Sequence, residues 1–188
     1  MLDKSLVGGI VSFSWDIVKI IIISLVIIVP IRYFLVQPFF VRGASMDPSY
    51  HQGDYLLVDE ISYRFGDPER GSVIIFKFPG NPSVFYIKRI IGLPGETITI
   101  RDGEVIIKNE QSPEGFVLEE KYIKEPFSDD MNVVLGDGEY FVLGDNRNAS
   151  HDSRRWGALH ESFIVGRVFL RAWPLDDVGL IIEPVYSK

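Results

Sequence analysis

The chain has 188 residues, 46% of them hydrophobic and 24% charged, enough for one folded domain and a short extra element. Its formal net charge of -7 is spread along the chain without a basic stripe, which excludes a protein that tracks nucleic-acid phosphates. There is no cysteine, so disulfides, thiolate nucleophiles and zinc–thiolate or iron–sulfur sites are excluded as well.

Residues 17–36 read IVKIIIISLVIIVPIRYFLV, close to the roughly 20 residues a helix needs to cross hydrocarbon. Lys19 and Arg32 stand near the two ends, where their stems can reach the interfaces. Pro30 would kink the helix, which membrane spans tolerate, and Trp15 with the aromatic residues of 33–40 suits the two interfaces. A secretory signal peptide would carry a small-residue cleavage site of the A-x-A kind, and none follows. A buried core helix would be amphipathic, and this run is apolar on every side. The expectation is a short tail over 1–16, one transmembrane helix over 17–36 and a folded domain over 37–188. Lys4 and Lys19 on one side balance Arg32 and Arg42 on the other, so charge does not orient the span.

Beyond Gln37-Pro38 the pattern turns to short strands punctuated by turns. Residues 55–59, 72–78 and 84–91 are strand-like, separated by Gly66-Asp67-Pro68, Gly71 and the run from Pro79 to Pro82. Residues 97–107 alternate around Asp102-Gly103, the signature of a hairpin closed by a type I′ turn. The polar stretch 109–138 reads as loops with one strand near Tyr122, and further strands are expected at 139–143 and 164–172. No soluble helix of four turns is expected. Short strands at regular spacing predict a mainly β fold, a twisted antiparallel sandwich or barrel-like domain behind the N-terminal transmembrane helix.

The three histidines, His51, His151 and His160, stand singly, with neither HExxH spacing nor a GxSxG elbow, and none is expected to be catalytic. Asn146, Asn148, Ser150 and Asp152 offer oxygens but lack the glycine and glutamate of a calcium loop, so no metal is expected. A serine can instead be activated by a neutral lysine. Along strand 84–91 side chains alternate, so Lys88 shares a face with Tyr86 and Ile90, and Arg89 with Ile87 and Ile91. Apolar neighbours can desolvate Lys88 and lower its pKa; the same pattern also suits an edge-strand lysine reaching water. Ser45, in the stretch GASMDPSY at 43–50, either caps a turn bent at Asp47-Pro48 or acts as a nucleophile. The block GDNRNASHDSRRWG at 144–157 reads as a rigid loop whose Asp, Asn and Ser side chains bond their own backbone. Arg147, Arg154 and Arg155 are placed in it to pair with Asp145 and Asp152.

Taken in order, these blocks resemble the type I signal peptidases, membrane-anchored Ser/Lys proteases that remove signal peptides from exported preproteins. The resemblance covers 37–175 and rests on GASMDP, DYLLVDEISYRFGDPERGSVIIF, YIKRIIGLPGE, EYFVLGDNRNASHDSRRWG and VGRVFLRAWPL. It implies that Ser45 is the nucleophile, Lys88 the general base and Ser150 a hydroxyl that hydrogen-bonds and orients the lysine amine. It implies further that Asp152 and Arg154 form a buried pair holding their box against the lysine strand, with Asp145 and Arg147 structural in the same loop. The oxyanion hole would use the Ser45 N–H. Some family members carry a serine two residues before the nucleophile; this chain has Gly43 there and resembles the glycine-bearing branch, whose second donor is a backbone amide or water.

Small residues at the first and third positions before the cut, typically alanine, would enter shallow pockets lined by Val41, Met46, Tyr50, Tyr86 and Ile87. The resemblance implies no cofactor, and as partners it implies signal-peptide-bearing preproteins and the lipid bilayer, with no nucleic acid. It places the catalytic domain on the extracytoplasmic side of a plasma membrane, with the thylakoid membrane as the alternative. Two rivals stand beside it. Self-cleaving repressor proteases share the dyad, but they carry a DNA-binding domain where this chain has its apolar run. A membrane-tethered β domain acting as a binding module would have no need to keep Ser45, Lys88 and Ser150 together.

Overall fold

The computed structural model describes residues 13–26, 28, 36–184 and 186. The chain divides into two compact units, 1–37 and 38–188. In the first, residues 13–26 are helical, so the helix already includes part of the stretch that the sequence assigns to a tail. Among the described residues no helix is long and apolar enough to cross a membrane. The expected span continues through 27 and 29–35, which lie outside the described residues, as does the tail over 1–12.

The second unit is built of antiparallel strands. Its large sheet takes β1 (Val36–Phe40), β2 (Tyr55–Asp59), β3 (Val73–Phe78), β4 (Asn81–Gly92), β9 (Glu139–Leu143), β10 (Leu159–His160), β11 (Ile164–Trp173) and β12 (Gly179–Leu180). The order is β1-β2-β11-β3-β4-β9-β10, with β12 also on β11. A second sheet holds β5 (Thr97–Arg101), β6 (Glu104–Asn109), β7 (Ser112–Val117) and β8 (Met131–Val134) in the order β7-β6-β5-β8.

Burial explains which residues became strands. In β2, Leu56 and Val58 face inward and their neighbours do not, the alternation of a strand covered on one side. Val73 to Phe76 of β3 are buried without a break because both faces of the large sheet are covered. Val73 and Ile75 join Val41, Met46, Leu56 and Ile87 in one core cluster. Ile74 and Phe76 join Ile90, Tyr140, Val142 and Leu159 in another. A third cluster, built on Ile98, Ile100, Val105, Ile107, Phe141 and Leu143, packs the small sheet against the end of the large one. The β5–β6 hairpin turns at Asp102 and Gly103, both at positive φ (52° and 79°), as a type I′ turn requires.

The structure corrects the reading of 109–138. The strands there are β7 and β8, while Tyr122 sits in a turn. β7 and β8 are the two edges of the small sheet and bury little, so their sequences lack the alternation that reveals a half-buried strand. Pro113 is tolerated in β7 because an edge strand has a side that pairs with nothing.

Candidate active site

β4 outruns one of its neighbours. Along β3 it pairs from Phe85 to Arg89, with Lys88 opposite Ile74 and Tyr86 opposite Phe76. On its other side β9 pairs only from Arg89, which faces Leu143, toward Gly92. From Lys88 back to Asn81, that side of β4 carries no strand among the described residues. Asn81 to Phe85 are exposed and the residues from Ile87 onward are buried, so Lys88 stands where the covered strand becomes an open edge.

Lys88 itself is only 4% exposed. Its Nζ lies 2.8 Å from Ser45 Oγ and 2.8 Å from the Ile87 carbonyl oxygen. Burial lowers its pKa from the ordinary 10.5 to about 8, against the opposing pull of the Asp152 and Asp145 carboxylates. The Tyr86 ring stands 5.4 Å from the amine on the same face of the strand.

Ser45 opens a turn over 45–49 whose ends are tied down. Val41 N–H donates to the Asp54 carbonyl (2.9 Å), Gly53 N–H to the Val41 carbonyl (3.0 Å) and Tyr50 N–H to the Met46 carbonyl (2.9 Å). Asp54 also accepts from the His51 N–H. From β11, Arg171 donates to the Ser49 carbonyl, lies 3.2 Å from Asp54 and covers the Tyr50 ring at 5.1 Å. Gly43 is exposed with φ +88°, and a Cβ there would meet nothing within 4 Å. A left-handed backbone, and not lack of room, is what favours glycine at this position.

The loop from Gly144 to Gly157 presses on both partners. Asn146 N–H donates to the Ser45 carbonyl (3.0 Å), so the loop grips the serine's own backbone. Gly144 makes this possible: a Cβ on it would collide with the Ser45 carbonyl oxygen and with Ser150 Oγ. The buried Asp152 accepts from Gly144 N–H (3.1 Å), and Ser153 Oγ accepts from Val142 N–H (3.0 Å), which docks the loop on the end of β9. Arg154 donates to both Asp152 oxygens (2.8 and 2.9 Å) and to Asp129 (2.6 Å). Burial pushes the Asp152 pKa up, but the Arg154 guanidinium outweighs it and holds the carboxyl below its usual range.

Residues that the sequence treats as merely structural carry much of this framework. Arg89, next to Lys88, grips both oxygens of Asp145 (2.9 and 2.6 Å) and donates to the Gly71 carbonyl (2.8 Å), with its guanidinium 4.2 Å from the Tyr122 ring. The pair that fastens the loop to the lysine strand is therefore Asp145–Arg89. Asp152–Arg154 braces the loop internally and ties it to Asp129. Arg147 donates to Glu120 and to the Gly144 carbonyl (3.0 Å). The sequence offered no signal for the Arg89, Glu120 and Asp129 pairings, since the partners lie 56, 27 and 25 residues apart.

Ser150 departs from expectation. The lysine amine bonds Ser45 and the Ile87 carbonyl, not Ser150. The Ser150 hydroxyl is buried near enough to Asp152 to favour its charged form, yet among the described residues no group meets it in full hydrogen-bond geometry. The expected pocket residues also separate. Val41, Met46, Tyr50 and Ile87 belong to one core cluster, whereas Tyr86 lies on the opposite face of β4. Tyr50 lines a cleft of about 610 Å³ with Arg89, Tyr122, Arg171 and Ile181. The Ser45–Lys88 pair sits at an open strand edge and not in that cleft. His51 contacts Asp47 (2.6 Å), His160 accepts from the Ser162 N–H (3.2 Å), and His151 joins a group of aromatic rings. Among the described residues no three histidine or acidic side chains gather where they could hold a metal ion.

A chain with a serine hydroxyl on a buried amine at the end of a β sheet fits a hydrolase. Residues 14–173 match the family model described as signal peptidase, peptidase S26. A signal peptidase I of Leptolyngbya laminosa is 38% identical over 89% of this chain and 83% of its own length. A relative named "Probable signal peptidase I-2", from Synechocystis, is 35% identical over 88% of this chain and 76% of its own. The signal peptidase I of Enterococcus faecalis V583, whose crystal structure is known, is 32% identical, with a TM-score of 0.47 over 54% of this chain and 97% of that one. The chain belongs to the type I signal peptidase family of serine endopeptidases.

Proposed function

We propose that this protein is a membrane-bound endopeptidase that removes N-terminal signal peptides from exported preproteins after Ala-X-Ala, with Ser45 as nucleophile and Lys88 as general base. The observation that carries this reading is the buried Lys88 amine 2.8 Å from Ser45 Oγ beside an unpaired strand edge. A preprotein segment adds to that edge in extended form, its main chain bonding β4 as another strand would. This delivers the scissile carbonyl to Ser45.

In its neutral form the lysine takes the role of acceptor, and the Ser45 hydroxyl donates to its lone pair. As Oγ attacks the carbonyl carbon, the hydroxyl proton passes to Nζ. The oxyanion is stabilised by the Ser45 N–H. The ammonium then protonates the departing amine of the mature protein, leaving the signal peptide as an ester on Ser45. Water attacks the ester as Lys88 takes one of its protons, the ammonium returns that proton to Oγ as the acyl–oxygen bond breaks, and the signal peptide leaves as a carboxylic acid that loses its remaining proton to solvent. Asp145 and Asp152 fix the loop that holds the Ser45 carbonyl, and the Ile87 carbonyl accepts from the amine and orients it.

The membrane assignment rests on the apolar run 17–36. Within it, Ile20, Ile23 and Val26 are more than half exposed, surface that lipid would cover. The catalytic unit works on the extracytoplasmic side, at a plasma or thylakoid membrane.

Assayed on a preprotein with an Ala-X-Ala site, Ser45→Ala and Lys88→Ala should each lower kcat on the order of 10⁴-fold or more, with unchanged far-UV circular dichroism. Full cleavage by Lys88→Ala would remove the dyad from the mechanism.

A further inference from the structure

After β11 the chain doubles back through β12, where Gly179 and Leu180 pair with Arg171 and Leu170, and the Ile181 N–H donates to the Phe169 carbonyl (2.9 Å). Further on, Glu183 accepts from the hydroxyl of the buried Ser72 (2.7 Å). Pro184 and Tyr186 then lie flush on Gly71, where a Cβ would come within 3.2 Å and 2.8 Å of them. The segment 179–186 contributes no group to the chemistry at Ser45, and it lies beyond 14–173, the residues that match the family model. It is nevertheless joined to the serine by two lines of contacts.

The first line is made of hydrogen bonds. The Tyr186 and Tyr122 hydroxyls are 3.0 Å apart, and Tyr122 donates to Glu120 (2.6 Å). A phenol has one proton, and Tyr122 gives its own to the carboxylate, so Tyr186 is the donor to Tyr122. Burial pushes both phenols above their ordinary range, which keeps both protons in place. The same Glu120 oxygen accepts from Arg147, and Arg147 donates to the Gly144 carbonyl (3.0 Å). The second line runs under the ring: the Gly71 carbonyl on which Tyr186 rests accepts from Arg89 (2.8 Å), and Arg89 grips Asp145. Tyr122 braces both lines, its ring standing 4.2 Å from the Arg89 guanidinium. Both end beside Asn146, whose N–H donates to the Ser45 carbonyl. Linked, half-buried hydrogen bonds polarise and stiffen one another, and a nucleophile held slightly out of place loses rate. We propose that Tyr186 is a positioning residue for catalysis: through Tyr122, Glu120 and Arg147 its hydroxyl sets the loop that holds Ser45 on the Lys88 amine. This rests on the assignment of Ser45 and Lys88 as the dyad.

The test uses the full-length protein on an Ala-X-Ala preprotein. Tyr186→Phe keeps the ring on Gly71 and removes only the hydroxyl; it should lower kcat about three- to tenfold, the worth of one hydrogen bond, with KM unchanged. Tyr186→Ala also uncovers Gly71 and should lose more than Tyr186→Phe; where it does not fold, Tyr186→Phe decides alone. In a Gly144→Ala background the loop is already displaced, so Tyr186→Phe should change kcat by less than about twofold, because both substitutions act through the same loop. A kcat unchanged in Tyr186→Phe would overturn the assignment, even if its melting temperature fell. Equal fold losses in the two backgrounds, or a loss carried by KM alone, would overturn it as well. Ser45→Ala separates the two claims: if it still cleaves, the dyad fails; if it is inactive while Tyr186→Phe keeps full kcat, the dyad stands and the role of Tyr186 falls.

Discussion

Burying Lys88 costs the fold stability. Below pH 8 its ammonium is protonated in both the folded and unfolded chains, and the folded one must hold that charge away from water. The gap between the ordinary pKa of 10.5 and about 8 corresponds to a penalty of about 3 kcal/mol, from ~1.36 kcal/mol per pH unit. The penalty is fully present below pH 8, fades as pH rises and is gone above 10.5. Lys88→Met should therefore be inactive yet more stable than wild type by about 1–3 kcal/mol at pH 7, with the advantage shrinking between pH 8 and 10.5. Chemical denaturation of both proteins across that range would measure it, and a constant difference would mean that the amine is not desolvated. The sequence placed Lys88 among apolar neighbours but left open an edge lysine reaching water. The structure decides for burial: Lys88 is 4% exposed although the strand edge beside it is open, so its amine is enclosed by the serine turn and does not reach water.

At the scale of elements, the loop 144–157 is fastened to β4 by Arg89 and Asp145. Asp145→Ala would leave the Arg89 charge buried without its partner, which costs about 3–5 kcal/mol of unfolding free energy. Gly144→Ala tests the other contact. Its methyl group must push away the Ser45 carbonyl or the Ser150 side chain, so kcat should fall at least about tenfold while the strand content is kept. Unchanged turnover would mean that the loop does not set the position of Ser45. Alternation made β2 and the β5–β6 hairpin legible in sequence, and unbroken apolar runs between turn residues did the same for β3, β4 and β9. β7 and β8 bury little and were illegible for that reason, and Tyr122, where the sequence suggests a strand, instead sits in a turn with its half-buried ring against Arg89.

At the scale of the molecule, the described core clusters all lie within 38–188. A protein beginning at Pro38 should fold with the β content of the full chain and leave the membrane fraction, which circular dichroism and sedimentation with vesicles would report. Retention of that fragment in the membrane would assign the anchoring to surfaces other than 17–36. The proposed active site is the least legible part of the molecule from residues alone. Ser45 and Lys88 lie 43 residues apart and meet through the tertiary fold, in which the loop after β9, a partner strand of β4, holds the Ser45 carbonyl. Motif order suggested the pairing through family resemblance; periodicity could not, and the arginine–carboxylate pairs that stiffen the site left no local pattern to read.

Residue, loop and sheet edge meet at one amine, and its ionisation can be followed during turnover. The decisive measurement is the pH dependence of kcat/KM for the wild-type protein on an Ala-X-Ala preprotein, which reports the essential base of the free enzyme. A neutral Lys88 acting on Ser45 predicts a single ionisation, with the rate rising about tenfold per pH unit and levelling off near pH 8. A flat profile, or a break near the histidine range of about 6.5, would contradict it.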